Sequence, residues 1–290
     1  MAALATPGLL PELESATGKT YAAGIDESIE GDENRGSFIV KLIERHSPEF
    51  VTAYLTALDH EQHAEGPGTP KAYAVLERID AIVGKLVAAQ LAAHPDSAVA
   101  IASDHGFEAI DKETNFFRAF VDAGLIKLDA AAKVISWEAM PWPSGGSVAI
   151  VLDRDDDPHL TARVAQVLNS LKAEPANGIA AIADRTEIAR MGGNPKAAFY
   201  VNMAPHATAV GTFAITSALR GTAKYKGTHG YFPIRANLQA TFLVMGQGIP
   251  KARSLGEIDM RAIAPTIASL LDITLPESEL DPLIGVAAGK

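Results

Sequence analysis

The sequence predicts an α/β protein with a mostly parallel sheet flanked by helices and an inserted subdomain. Three observations carry that expectation. An apolar run, a long amphipathic pattern and a second apolar run succeed one another over about fifty residues, as in a parallel-sheet unit. Both apolar runs end in clusters of ionisable groups, and open α/β sheets present ligand sites beyond the carboxyl ends of their strands. Finally, 48% of the 290 residues are hydrophobic, enough for one large domain or one domain with an insert.

The elements follow in chain order. Residues 1–35 read as irregular, with Pro7, Pro11 and several glycines, and GIDESIEGDENRG reads as an acidic, turn-rich loop. GSFIVKLIERHSP sets Phe38, Ile39, Leu42 and Ile43 at helical spacing before Pro48, which predicts a short amphipathic helix. EFVTAYLTAL then reads as a buried strand. Thr69 and Pro70 open the next helix as a hydroxyl cap followed by a first-turn proline. Its buried face is Val75, Ile79, Ile82, Leu86 and Ala89, and it stops near His94-Pro95. SAVAIAS is the second strand of the unit. Residues 115–210 change in character, with a short helix around 117–123, an aromatic loop at WEAMPWPSGG, the strand SVAIVL, a helix over 158–171 and a strand at AAFYVNM. RGTAKYKGTHGYFPIR reads as a glycine-rich loop, QATFLVMG as a buried strand, and IDMRAIAPTIASLLDI as a helix with Pro265 in its first turn.

Composition narrows the chemistry. The net charge of −10 argues against a nucleic-acid backbone or an anionic membrane as partner. A phosphate substrate stays compatible with it, because a bound metal reverses the local field. The chain has no cysteine, which excludes disulfides, thiolate zinc sites, iron–sulfur clusters and cysteine nucleophiles. Any metal must be held by His, Asp and Glu. The opening MAALATPGLLPELESATGKT lacks a signal-peptide pattern, and no apolar run reaches the roughly 18 residues of a membrane helix. The chain reads as soluble. Compartment and oligomeric state leave no signal in the sequence.

Three segments share one pattern, a polar cluster after an apolar run or within a glycine loop: Asp59 with His63, Asp104 with His105, and His229 in GTHG. Asp59 and His63 stand four apart, so both reach one ion if the chain turns or begins a helix there. Asp104 and His105 are adjacent and serve one ion only from an irregular turn, which Gly106 allows. Taken singly, each segment reads as well as a solvated loop or a turn. Occurring together in this order, cysteine-free, they suit zinc or a similar divalent metal.

LDHEQHAEGP, ASDHGF and KGTHGYFP resemble three metal-binding segments of the alkaline phosphatase superfamily, in particular its type I phosphodiesterase/nucleotide pyrophosphatase family. The resemblance covers residues 30–110 and 220–275 and includes the helix between the first two motifs. It implies an alkaline-phosphatase-like fold divided into 1–114 as the first part of the α/β domain, 115–210 as an inserted cap, and 211–290 as the remainder. It implies that Asp59, His63 and His229 hold one Zn2+, and that Asp104 and His105 hold a second with an upstream Asp and a Thr or Ser nucleophile. Two such ions grip both sides of an in-line displacement on a phosphate ester. The implied substrate is a small-molecule phosphate ester or nucleotide, and the family's relatives are often periplasmic or secreted.

The sequence departs from the family in one respect. Only 58 residues precede Asp59, and none reads as the strand carrying the upstream Asp or the turn carrying the nucleophile. An N-terminally truncated member is the expectation, with its first strands missing and one or two ions bound. Asp26, Asp32, Thr17 and Thr20 have no strand before them. ATGKT is not a phosphate loop, since the glycine required five positions before Gly18 is Leu13. His60 and Glu61 read as neighbours of the ligands. Tyr231, Phe232, Trp137 and Trp142 read as packing residues or pocket lining. The functional alternatives are a hydrolase of phosphodiester or nucleotide pyrophosphate bonds, a phosphomonoesterase or phosphonate hydrolase of the same superfamily, and a catalytically inactive metal-binding remnant.

Overall fold

Several helices in this chain form where a polar side-chain cap meets an apolar run. A computed structural model describes residues 4–21, 26–210, 218–247, 249–251 and 253–283. The helices among them are α1 (Leu9–Thr17), α2 (Ile29–His46), α3 (Ala57–Glu65), α4 (Pro70–Ala93), α5 (Phe116–Asp122), α6 (Pro158–Ala173), α7 (Arg185–Arg190) and α8 (Ile263–Leu270). The strands are β1 (Val99–Ala102), β2 (Glu108–Thr114), β3 (Ile126–Leu128), β4 (Val134–Trp137), β5 (Ala139–Pro143), β6 (Ser147–Leu152), β7 (Ile179–Asp184), β8 (Phe199–Met203), β9 (His206–Ala209), β10 (Arg220–Thr222), β11 (Gly227–Thr228) and β12 (Phe242–Met245). No helix among the described residues is long and apolar enough to cross a membrane.

The chain divides into two compact units. The first comprises Met1–His60, Tyr73–His105 and Ala240–Lys290, and the second Glu61–Ala72 and Gly106–Gln239. In the first unit, α2 begins well before the expected helix, with the Ser28 hydroxyl capping the Gly31 N–H at 3.0 Å. Glu30 and Asp32 sit in its first turn, where the helix dipole favours them. Local cap chemistry thus makes a helix start of a stretch that composition presents as an acidic loop. The small apolar core is Ile29, Ala57, Val75 and Ile82, flanked by Leu55, Leu58, Ile79 and Leu86. β1 and β12 pair antiparallel, with Val99 opposite Met245 and Ala102 opposite Phe242.

The second unit holds the larger core. Its main sheet runs β5-β6-β8-β7, every neighbour antiparallel. Val148, Ile150, Val201 and Met203 from this sheet pack in one cluster with Phe116 and Phe120 of α5 and Val164 and Leu168 of α6. A smaller sheet centres on β2, which pairs antiparallel with β10 and β11 and parallel with β9. Residues 115–210 all lie in this unit.

Three expectations are corrected. The sheets are mixed, and β2–β9 is the one parallel ladder among the described residues, so "mostly parallel" does not describe the pairing. EFVTAYLTAL is no strand, for residues 51–56 have no regular structure and α3 starts at Ala57. The cause lies elsewhere in the chain. The buried Asp32 carboxylate accepts the N–H groups of Thr56 at 3.1 Å and Ala57 at 2.8 Å, satisfying donors a new helix leaves open. WEAMPWPSGG is likewise not all loop, since it supplies the end of β4 and all of β5. Pro141 and Pro143 are tolerated because β5 is a sheet edge, where a missing N–H breaks no ladder. SAVAIAS, SVAIVL, AAFYVNM and QATFLVMG contain strands as expected, and α4, α5, α6 and α8 fall where periodicity places them.

Candidate metal centre

Asp59 and His63 lie one turn apart on α3, so their side chains leave the same helix face. The division between the units falls after His60, which assigns Asp59 to the first and His63 to the second.

In the first unit, Asp59, Asp104 and His105 come together. His105 Nε2 is 3.5 Å from Asp104 Oδ2 and 4.0 Å from Asp59 Oδ1. Asp104 Oδ1 also accepts the His105 N–H at 3.0 Å. The pair follows β1, and Ser103 pins that turn: its N–H donates to the Thr241 carbonyl at 3.0 Å, and its hydroxyl accepts the Thr241 N–H at 2.8 Å. The local field is negative. The Tyr54 phenol, on a largely exposed side chain, is pushed above its ordinary pKa by partial desolvation first and then by the charges of Asp104, Asp59 and Glu27. Two carboxylates against one imidazole make a donor set that a divalent cation would neutralise.

In the second unit, His63 and His229 come together, with ring centroids 5.1 Å apart. Phe107 meets both rings edge-on, at 4.9 Å from His63 and 5.3 Å from His229, and Tyr225 stands 5.7 Å from His63. His63 Nδ1 is 2.9 Å from the Gly227 carbonyl of β11. A carbonyl only accepts, so in the neutral ring Nδ1 carries the proton and the lone pair sits on Nε2. Metal-binding histidines are commonly held this way, by a hydrogen bond from the other ring nitrogen. The Lys226 N–H donates to the His63 carbonyl at 2.8 Å, so the end of α3 is tied to the strand segment preceding His229. Gly106 serves the turn after His105 through space: a Cβ there would lie 2.1 Å from the Asn237 carbonyl oxygen. Phe107 and the Gly227 carbonyl were not among the sequence-derived site residues. Phe107 had a signal, standing in the SDHGF motif itself, whereas the backbone carbonyl had none.

The remaining candidates have other roles. ATGKT closes a helix where a phosphate loop would open one: Thr17 ends α1, its hydroxyl donates to the Leu13 carbonyl at 2.8 Å, and Gly18 is the left-handed C-cap. Asp26 accepts the Ser28 N–H and hydroxyl at 3.0 and 2.6 Å, and the hydroxyl contact foremost holds its pKa below the usual aspartate value. Asp32 is fully buried, bonded to Arg35 and to the start of α3. His60 faces Glu27 at 3.6 Å. Tyr231 is buried in the main core, Phe232 packs beside Ala149 and Tyr200, and Trp137 lies against the main core, while Trp142 is exposed.

The family profile described as type I phosphodiesterase / nucleotide pyrophosphatase matches residues 12–232. Among solved structures, human ectonucleotide pyrophosphatase / phosphodiesterase 5 superposes with a TM-score of 0.65 at 18% identity, covering 91% of this chain and 64% of that one. The murine protein of that name, an inactive Thr-to-Ala variant in complex with AMP, gives 0.65 at 18% identity over 93% and 66% of the two chains. Phosphonoacetate hydrolase from Sinorhizobium meliloti in complex with phosphonoformate gives 0.54 at 19% identity over 82% and 56%. At these identities the likeness is one of fold, the alkaline-phosphatase-like α/β fold. The chain spans less than two thirds of the length of either the human or the bacterial chain, 64% and 56%. No curated protein matches the chain in sequence.

Proposed function

Because the chain belongs to the type I phosphodiesterase / nucleotide pyrophosphatase family, we propose that it takes part in metal-dependent hydrolysis of phosphate esters, at phosphodiester or nucleotide pyrophosphate bonds. The substrate is a small-molecule phosphate ester or nucleotide. Asp59, His63 and His229 would hold one ion, and Asp104 and His105 would contribute to a second. The observation that carries the reading is the donor chemistry within each unit: carboxylates around His105 in one, and paired imidazoles in the other, with His63 Nδ1 on a backbone carbonyl. Oxygen and nitrogen donors without thiolate fit zinc. Bound divalent ions supply positive charge against phosphoryl oxygens and the nucleophile.

This chain's own residues do the rest of the work described. The Gly227 carbonyl fixes the His63 tautomer, and Phe107 limits how the His63 and His229 rings can turn. α3 sets the spacing between Asp59 and His63. Residues 115–210 would form a cap over the site. The nucleophile is left unassigned: Thr17 is committed to its own helix end.

The test is zinc per chain together with turnover of a bis-aryl phosphate diester. The expected result is bound zinc with diester turnover, and loss of both in Asp59→Ala, Asp104→Ala and His229→Ala. Variants that keep full zinc content overturn the ligand assignment. Zinc retention without turnover of any diester overturns hydrolysis by this chain and leaves only metal binding.

A further inference from the structure

We propose that the turn at residues 144–146, in the insert, is the positioning element for His229. The inference rests on the ligand role given to His229 above and adds the part of the fold that orients it.

The turn joins β5 to β6 and is closed by the Ser144 N–H donating to the Ser147 carbonyl at 2.8 Å. From it the Gly146 N–H donates to the His229 carbonyl, also at 2.8 Å. The same turn receives two further backbone bonds, Met203 N–H to the Gly146 carbonyl and Ala209 N–H to the Gly145 carbonyl, each 2.8 Å. It is therefore held by β8 and β9 and in turn holds the main chain at His229.

The approach is too close for side chains. A Cβ on Gly146 would stand 2.2 Å from the Tyr231 ring, one on Gly145 2.5 Å from Thr228 Oγ1, and one on Gly230 2.0 Å from the Ser144 carbonyl oxygen. Gly145 and Gly230 also have φ of +71° and +80°, a region that strains any other residue. The turn thus lies directly against the main chain at His229 and Gly230 and against the side chains of Thr228 and Tyr231 on either side, which fixes the backbone from which the His229 ring projects. Two of these glycines come from PSGG and one from GTHG, motifs some eighty residues apart that read in sequence as unrelated turns.

The test uses the full chain and zinc alone, with affinity measured by competition against a chromogenic chelator and the thermal midpoint measured in parallel. Gly146→Ala is expected to weaken zinc binding about tenfold to a hundredfold, the range for groups that orient a metal ligand. Leu168→Ala, in the same core but away from the turn, should lower the midpoint at least as much and leave zinc affinity within about twofold. In a His229→Ala background, Gly146→Ala should change residual zinc affinity no further, because the residue it acts through is gone. Should Gly146→Ala fail to fold, insertion of one glycine after Gly145 shifts the turn without adding a side chain, and the same loss is expected. Wild-type zinc affinity in a folded turn variant overturns the inference. If His229→Ala itself keeps wild-type affinity, the ligand reading fails instead, so the two failures are distinguishable.

Discussion

The two compact units are held together by different means. In the second, α5 and α6 cover a four-stranded sheet, and Phe116, Phe120, Val148, Ile150, Val164, Leu168 and Val201 are completely or almost completely shielded from solvent. In the first, the buried apolar cluster is Ile29, Ala57, Val75 and Ile82, while Tyr54, Leu76, Ile101, Leu243, Met245 and Ile273 are exposed. Polar contacts are correspondingly prominent there: Asp32 with Arg35 and the start of α3, and Arg78 at 2.9 Å from both Glu30 and Glu33. The histidine pair of the proposed centre stands on the well-packed unit. The carboxylates and His105 stand on the unit in which hydrogen bonds and helix caps carry more of the order.

The largest expected effect is in the dense core. Phe120→Ala should cost about 3–5 kcal/mol in chemical denaturation, the usual penalty for emptying a buried aromatic site. A loss below about 1 kcal/mol would mean that this core collapses around the cavity and is not tightly packed. Next comes the polar support of the other unit. Asp32→Ala removes a buried acceptor, unpairs Arg35 and leaves the Thr56 and Ala57 N–H groups open, for an expected loss of about 3 kcal/mol. Asp32→Asn, which keeps an acceptor, should recover part of it. Circular dichroism and denaturation curves would show both, and a neutral Asp32→Ala would put the order of α3 down to its apolar contacts alone.

A smaller effect is expected on the exposed face of β1 and β12. Leu243→Thr should change stability by no more than about 0.5 kcal/mol, as surface substitutions do. A loss several times greater would show that this face is covered in the protein as it exists in solution. The smallest effect concerns acid. Asp157 caps α6, and the Leu160 N–H foremost, with Arg154 and the His159 N–H, holds its carboxyl below the ordinary value of 3.8. A lowered folded-state pKa gives stability above the unfolded value that is lost as pH falls through the folded one. Thermal midpoints should therefore fall slightly more steeply below about pH 4 in the wild type than in Asp157→Asn. Equal slopes would remove the cap from the acid response.

Much of this was legible in the sequence wherever the signal is local. Val75, Ile79, Ile82 and Leu86 announce α4, and Thr69-Pro70 its start. The largely apolar runs of β6, β8 and β12 read as strands because nothing competes with them over four to six residues. EFVTAYLTAL misled because Val51, Thr52 and Tyr54 favour a strand, whereas a carboxylate 24 and 25 residues upstream of the Thr56 and Ala57 N–H groups starts a helix there. β5 was hidden by its prolines, which only an edge position excuses. At the candidate site, the five proposed donors were visible as motifs. Their supports, the Gly227 carbonyl and the glycine turn at 144–146, were not, since a backbone atom has no sequence signature.

The sequence by itself determined the chemistry of the proposed donors, aspartate and histidine with no thiolate, and the four-residue separation of Asp59 and His63, because residue identity and position are written along the chain. Tertiary structure alone decided strand direction, the point at which α3 begins and the hold on His63 and His229. Each of those depends on a hydrogen bond between residues far apart in sequence, and such a bond exists only once the intervening chain has folded.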